Sequence, residues 1–229
     1  HKGAQLYGHA PSLLRGGRPV LVEGPLDAIA VTLATAGEYV GVAALGTALT
    51  RDQARQLRRY TALPIVATDN DQAGQAAAER AYWMLTGLGL DPLHATLPEG
   101  TDPADLAAQR RPQDLTNAMR ASIPLSRVLL DRAIAQHSRD DGIRDPIRIV
   151  AAADPTGWQK AVSELAEATG RPIAELEVAL VTQLHLDAGI DQHVRRPPER
   201  EGRSALLPNS DSVSIDATPP APRHPGPDR

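Results

Sequence analysis

Ile65-Val66-Ala67-Thr68-Asp69-Asn70-Asp71-Gln72-Ala73-Gly74 is a short apolar run that ends in two acids and opens into an alanine-rich segment. Ile65 to Ala67 reads as a strand, and Gln72 to about Leu88 as a strong helix. The same grammar repeats on either side. Toward the N-terminus, Val20-Leu21-Val22 is a compact strand stopping at Glu23-Gly24, followed by a helical stretch from Leu26 to about Thr35 that Gly37 closes. Tyr39 to Leu45 is the next strand. Thr50 starts a helix, with Gln53 three residues on as a capping box and Ala54 and Leu57 as its inner face. Toward the C-terminus, Leu93 to Leu97 makes a fourth strand. Strands alternating with helices from Arg18 to Leu97 predict a parallel α/β sheet.

After Pro98 to Pro103 the strand signals mostly stop. Leu125 to Gln136, Thr156 to Ala168 and Pro172 to Leu186 have helical spacing, the last with proline in its first turn. They are read as a helical subdomain. From Arg195 onward, eight prolines in 35 residues and few large apolar side chains leave nothing to bury, which predicts a disordered tail. The expected division is therefore 1–17, a preceding segment; 18–112, the α/β domain; 113–194, the helical subdomain; and 195–229, the tail.

The chain has 229 residues, 41% of them apolar, which suffices for a real core. Its 24 basic and 28 acidic residues give a net charge of -4, so contact with nucleic acid must use a local patch. The absence of cysteine excludes disulfides and thiolate zinc sites and fits a reducing compartment. No apolar run reaches the roughly 20 residues a membrane helix needs, so a cytoplasmic protein is the expectation, with no membrane partner. The start at His1-Lys2-Gly3, without methionine, is read as that of a piece of a longer protein.

Ligands in an open parallel sheet sit beyond the carboxyl ends of the strands. That rule selects a small set of acids. Glu23 closes the first strand, Asp27 lies one turn into the next helix, Asp69 and Asp71 close the third strand, and Asp102 and Asp105 follow the fourth. Carboxylates converging on one edge repel unless cations join them, and an oxygen-only cluster suits magnesium or manganese. Acid-x-acid spacing alone is weak, since Glu175/Glu177 and Glu199/Glu201 share it. Position after a buried strand is what distinguishes Asp69/Asp71. The small Ala73-Gly74 that follows is expected to let phosphate approach the backbone.

These residues resemble the Toprim domain of DnaG-type bacterial primases. Val22-Glu23-Gly24-Pro25-Leu26-Asp27 is similar to that family's glutamate motif, Ala44-Leu45-Gly46-Thr47-Ala48-Leu49-Thr50 to its next segment, and Asp69-Asn70-Asp71-Gln72-Ala73-Gly74 to its paired-aspartate motif. Leu97-Pro98-Glu99-Gly100-Thr101-Asp102-Pro103 resembles the loop after the fourth strand, and His1-Lys2-Gly3 with Leu6-Tyr7-Gly8 the basic segment ahead of Toprim. The likeness runs in order from residue 1 to about 108 and loosens beyond 120. Asn70 stands where glycine is usual, Pro25 replaces an aromatic, and Ala104 interrupts an Asp-Pro-Asp run. The family's zinc module and most of its basic half have no counterpart here.

The resemblance implies a Toprim-type, Rossmann-like sheet of four parallel strands with flanking helices. It also implies magnesium- or manganese-dependent synthesis of short RNA primers from ribonucleoside triphosphates on single-stranded DNA during replication, with a replicative helicase as a further partner. Asp69, Asp71 and Asp102 are the implied metal ligands. Glu23 acts as a ligand through water or as the acid-base group, with Asp27 and Asp105 supporting from behind. Lys2 matches a position near nucleotide phosphate, and Arg51, Arg55 and Arg58 form a basic helix stripe for template phosphates. His9, His94, His137, His185 and His193 share no ligand spacing, and Trp83 and Trp158 read as core.

Two alternatives keep the same acids. A Toprim nuclease or topoisomerase would cleave phosphodiesters, but none of Tyr7, Tyr39, Tyr60 or Tyr82 has the setting of a topoisomerase nucleophile, and there is no Walker loop for a partner ATPase. The other is a non-catalytic accessory module of a plasmid or phage-derived protein.

Overall fold

In a computed structural model, residues 5–45, 48–136 and 143–195 are described, with side chains as far as Gly189. Lys2, His137, His193 and the proline-rich segment expected to be disordered lie outside the described residues or side chains. Among the described residues six strands form one sheet in the order β1-β3-β2-β4-β5-β6. These are β1 (Leu6–Gly8), β2 (Arg18–Val22), β3 (Tyr39–Ala44), β4 (Ile65–Val66), β5 (Leu93–His94) and β6 (Ile123–Pro124). The four expected strands are β2 to β5, and all pairings among them are parallel. Beyond the four expected parallel strands the sheet gains one short strand at each edge: β1 pairs antiparallel with β3, and β6 antiparallel with β5. These strands are three and two residues long. They owe their structure to an existing edge rather than to a pattern of their own.

Among the described residues ten α-helices connect and cover the sheet: α1 (Ala10–Leu14), α2 (Pro25–Ala34), α3 (Arg51–Leu57), α4 (Gln72–Thr86), α5 (Pro103–Ala108), α6 (Pro112–Arg120), α7 (Leu125–Gln136), α8 (Arg144–Ala152), α9 (Trp158–Thr169) and α10 (Ile173–Arg195). Strand alternation sorts the core into two layers. Val20, Val22, Ala43 and Ile65 face one side, where Ala28 and Val31 of α2, Leu106 of α5 and Leu115 and Met119 of α6 cover them. On that side α2 lies so close to β3 that a Cβ on Gly41 would come within 2.3 Å of the Ala28 backbone. Leu21, Val42 and Val66 face the other layer, with Ala54 and Leu57 of α3, Ala78 and Leu85 of α4, and buried residues of α7 to α10.

Helices α7 to α10 share this second layer with the sheet. The expected boundary at residue 113 therefore does not fall at a gap in the core: one buried cluster runs from Leu21 through Tyr82 to Leu165 and Leu180. Tyr82 of α4 donates its hydroxyl to the Ile149 carbonyl at 2.8 Å, and the Arg148 guanidinium sits 4.9 Å above the Trp83 ring. Trp83 and Trp158 are partly buried against this cluster, in keeping with the expected core role.

Candidate active site

Strand β2 lies at the middle of the sheet, and the chain leaves it toward β3 on one side before returning to β4 on the other. The carboxyl ends of β2 and β4 thus flank the point where the winding reverses, where open α/β sheets hold ligands. Glu23 follows β2 directly, and Asp69 stands three residues after β4. A Glu23 carboxylate oxygen accepts from the Asp69 backbone N–H at 3.4 Å, linking the two loops.

Asp27 explains how the remaining acids reach them. Its Oδ2 accepts from the Gly24 amide at 3.0 Å and its Oδ1 from the Ala104 amide at 3.3 Å. One carboxylate therefore braces the β2–α2 turn and draws in the start of α5, on which Asp102 sits. With both oxygens occupied, Asp27 organises its neighbours. Burial pushes its carboxyl up from the ordinary range, assisted by Asp102 and Glu23, against the lowering effect of the two amide hydrogen bonds.

Asp71 and Asp102 are both helix N-caps. Asp71 Oδ1 accepts from the Gly74 amide at 2.7 Å at the head of α4, and Asp102 Oδ1 from the Asp105 amide at 2.6 Å at the head of α5. Each cap satisfies an amide with no helical partner and places negative charge at the positive end of the helix. Each also leaves the second oxygen of its carboxylate uncommitted to the cap. Asp105 is exposed and joins this arrangement through its backbone.

The electrostatic centre is Asp69. Its carboxyl is pushed up to about 6, first by loss of solvent and then by the negative charges of Glu23, Asp102, Asp27 and Asp71. The expected acids other than Asp105 therefore act on one another. Among the described residues, no three acidic or histidine side chains already form a metal-binding group. The physical reason lies in the caps and the brace, which direct carboxylate oxygens at backbone amides. The donor type fits a hard divalent cation: all are oxygens, and the mutual repulsion that raises Asp69 is what a cation would relieve.

The structure reassigns Gly74. It was expected to clear a path for phosphate, yet the space is already filled: a Cβ there would lie 2.1 Å from the Asp69 carbonyl oxygen. Its small size lets α4 begin hard against the strand-end loop. The capping box at Thr50 is present, since the Gln53 amide donates to Thr50 Oγ1 and the Thr50 amide to Gln53 Oε1. Buried Gln53 has a second use, donating from Nε2 to the Gln5 carbonyl at 2.7 Å and so holding the start of β1 beside α3.

The basic stripe divides. Arg55 is engaged by Asp52, and Arg58 is exposed at the end of α3, whereas Arg51 lines a cleft of about 800 Å³ that Glu23 also lines. Arg80 of α4 lines the same cleft. Nothing in its local sequence marked it, because a lone arginine in a helix is ordinarily a solvated residue.

Residues 20–107 match the Toprim-like family model. The region that carries the carboxylates is thus a Toprim domain. A DNA primase of Clostridium acetobutylicum is 29% identical over 177 residues, covering 74% of this chain and 29% of that protein. A DNA primase of Campylobacter jejuni is 40% identical over 119 residues, covering 52% of this chain and 19% of that protein. The structure of a DnaG primase catalytic domain bound to single-stranded DNA superposes with a TM-score of 0.62 at 26% identity, covering 76% of this chain and 59% of that one. The chain carries a Toprim domain of the bacterial DNA primase kind, and it spans less than a third of these two primase sequences. Among the described residues no helix is long and apolar enough to cross a membrane.

Proposed function

We propose that this chain supplies the metal-binding part of a DNA primase, which joins ribonucleotides into short RNA primers on single-stranded DNA. The observation that carries the proposal is the convergence of Glu23, Asp69, Asp71 and Asp102 on one sheet edge, with Asp69 raised to about 6 among them. Asp69, Asp71 and Asp102 are the proposed ligands of magnesium or manganese. Bound cations would lower the pKa of the primer 3′-hydroxyl and neutralise charge gathering on the departing pyrophosphate. Glu23, tied to the Asp69 amide and exposed, is the proposed acceptor of the hydroxyl proton or holder of a metal-bound water. Asp27 keeps the Glu23 turn and the Asp102 helix in register. Asp105 supports the Asp102 cap. Arg51 is a proposed phosphate contact, with Arg58 further along the same helix. Ribonucleoside triphosphates are the proposed substrates, and a replicative helicase in the cytoplasm the further partner.

Manganese-induced paramagnetic broadening tests the metal assignment on the chain itself. Amides from Asp69 to Gly74 should broaden first. Broadening centred on Glu175, a matched acid-x-acid site on α10, would overturn it.

A further inference from the structure

A cavity of about 470 Å³ lies at the amino end of β5, at the opposite end of the parallel strands from the carboxylates. It forms where β6 runs into α7 and the turn between α8 and α9 comes beside them. Leu130, Ile149, Val150 and Trp158 give it apolar walls, and Asp91 and Asp154 line it as well.

The charges in this cavity are unequally matched. Two cations line it, Arg127 and Lys160, and Glu164 pairs with both, while Asp131 also holds Arg127. Asp91 and Asp154 have no cationic partner among the described residues. Asp154 accepts from the amide and the hydroxyl of Thr156, which holds its carboxyl below the ordinary range and so keeps it charged. Asp91 is in a different position: its Oδ1 is buried and, among the described residues, accepts no hydrogen bond. The nearby Tyr82 hydroxyl is already committed to the Ile149 carbonyl. Burial pushes the Asp91 carboxyl up, and the charge of Asp154 pushes it further. Buried polar atoms in native proteins ordinarily have partners, so this one calls for an occupant.

The walls say which kind. Two uncompensated carboxyl groups repel an anion. A bare metal ion would leave the apolar walls unused, and among the described residues no group of three ligands awaits one. A cation with an apolar body meets both features, and a tryptophan ring adds attraction for its charge. The chain makes that contact elsewhere, with Arg148 over Trp83, whereas Trp158 has no such cation among the described residues. We propose that this cavity binds an organic cation, a primary ammonium or guanidinium group on an apolar stem, with its head at Asp91 and Asp154 and its stem against Leu130, Ile149 and Trp158. The site is separate from the strand-end carboxylates and does not depend on their chemistry.

The Trp158 indole N–H resonance of the whole chain reports on the cavity, and the Trp83→Phe variant assigns it. Titrations at neutral pH in excess magnesium use benzylamine, with benzyl alcohol as its uncharged twin. Benzylamine should shift the resonance saturably, with a dissociation constant of roughly 1 mM for so small a ligand. Benzyl alcohol should bind at least about tenfold more weakly. Asp91→Asn should weaken benzylamine by about tenfold or more while the chain stays folded by circular dichroism, because the Asp91 amide keeps its bond to the Ala62 carbonyl. Asp154→Asn, in an exposed turn, should weaken it by about threefold and gives the same reading should Asp91→Asn not fold. Glu175→Gln, on α10 and away from the cavity, should change nothing. A blocked glycyl-arginyl-glycine peptide that binds more tightly than benzylamine would assign the cation to a protein side chain, and the reverse order to a free amine. No saturable shift with either cation, equal binding of benzyl alcohol, or undiminished binding by folded Asp91→Asn would each overturn the proposal.

Discussion

Replacing Asp69 by asparagine should stabilise the metal-free fold while removing its capacity for a cation. In the folded chain the Asp69 carboxyl is raised from 3.8 to about 6, by burial first and by four neighbouring carboxylates. Below pH 3.8 both folded and unfolded chains hold the proton, so the residue costs nothing. As the pH rises from 3.8 to about 6 the unfolded chain releases its proton first, so folding becomes progressively harder, and above about 6 the cost is constant. The full shift corresponds to about 3 kcal/mol, and screening at this partly exposed site reduces it to about 1 kcal/mol. Asparagine keeps the shape and removes the charge, and among the described residues the Asp69 side chain accepts no hydrogen bond that would be lost. Thermal melts in EDTA at pH 7 should therefore place Asp69→Asn about 2 to 4 °C above the parent, with the gap shrinking toward pH 4. Excess manganese should reverse the order, because the parent alone gains a tight ligand. A lower melting temperature for the variant in EDTA at pH 7 would refute the claim that the neighbouring carboxylates strain this site.

Gly74→Ala should cost about 3 kcal/mol or more and should weaken manganese binding, since the new methyl meets the Asp69 carbonyl at 2.1 Å. Denaturant melts and manganese titration check both effects, and a neutral result would mean that α4 can shift freely. Tyr82→Phe should cost about 1 to 2 kcal/mol through loss of the buried hydroxyl bond to Ile149. Its denaturation should stay a single transition, because the sheet and helices α7 to α10 share one core; two transitions would show that they unfold separately.

What the sequence disclosed depended on how local each signal was. Strands β2 to β5 and the Thr50 cap were legible because each is written in a few adjacent residues: an apolar run, a turn, or a capping box. The gathering of Asp69, Asp71, Glu23 and Asp102 at one sheet edge was legible because strand ends of a parallel sheet converge there. Strands β1 and β6 were not, since three- and two-residue segments acquire structure only from the edge they meet. Helices α5 and α6 carried a readable sign in Pro103 and Pro112, both in the first turn, but lay in a stretch dominated by loop-forming residues. Asp145-Pro146 similarly gives the start of α8 the look of a turn. Gly74 was misread because close backbone packing and phosphate access call for the same small residue. Arg80 gained meaning only from the cleft. The brace formed by Asp27 required knowing that Ala104, 77 positions away, would lie beside it.

Primer synthesis tests the central claim most directly. Substituting this chain for the corresponding region of a full-length bacterial primase gives a hybrid that can be assayed on single-stranded DNA with ribonucleoside triphosphates and magnesium. The hybrid should make short RNA. Asp69→Asn should abolish synthesis in a folded protein, because the charge that holds a cation against the phosphates is gone. Glu175→Gln, in an acid-x-acid pair on α10, should retain it. RNA synthesis that survives Asp69→Asn would contradict the metal assignment, and a folded hybrid that cuts DNA and makes no RNA would contradict the assigned reaction.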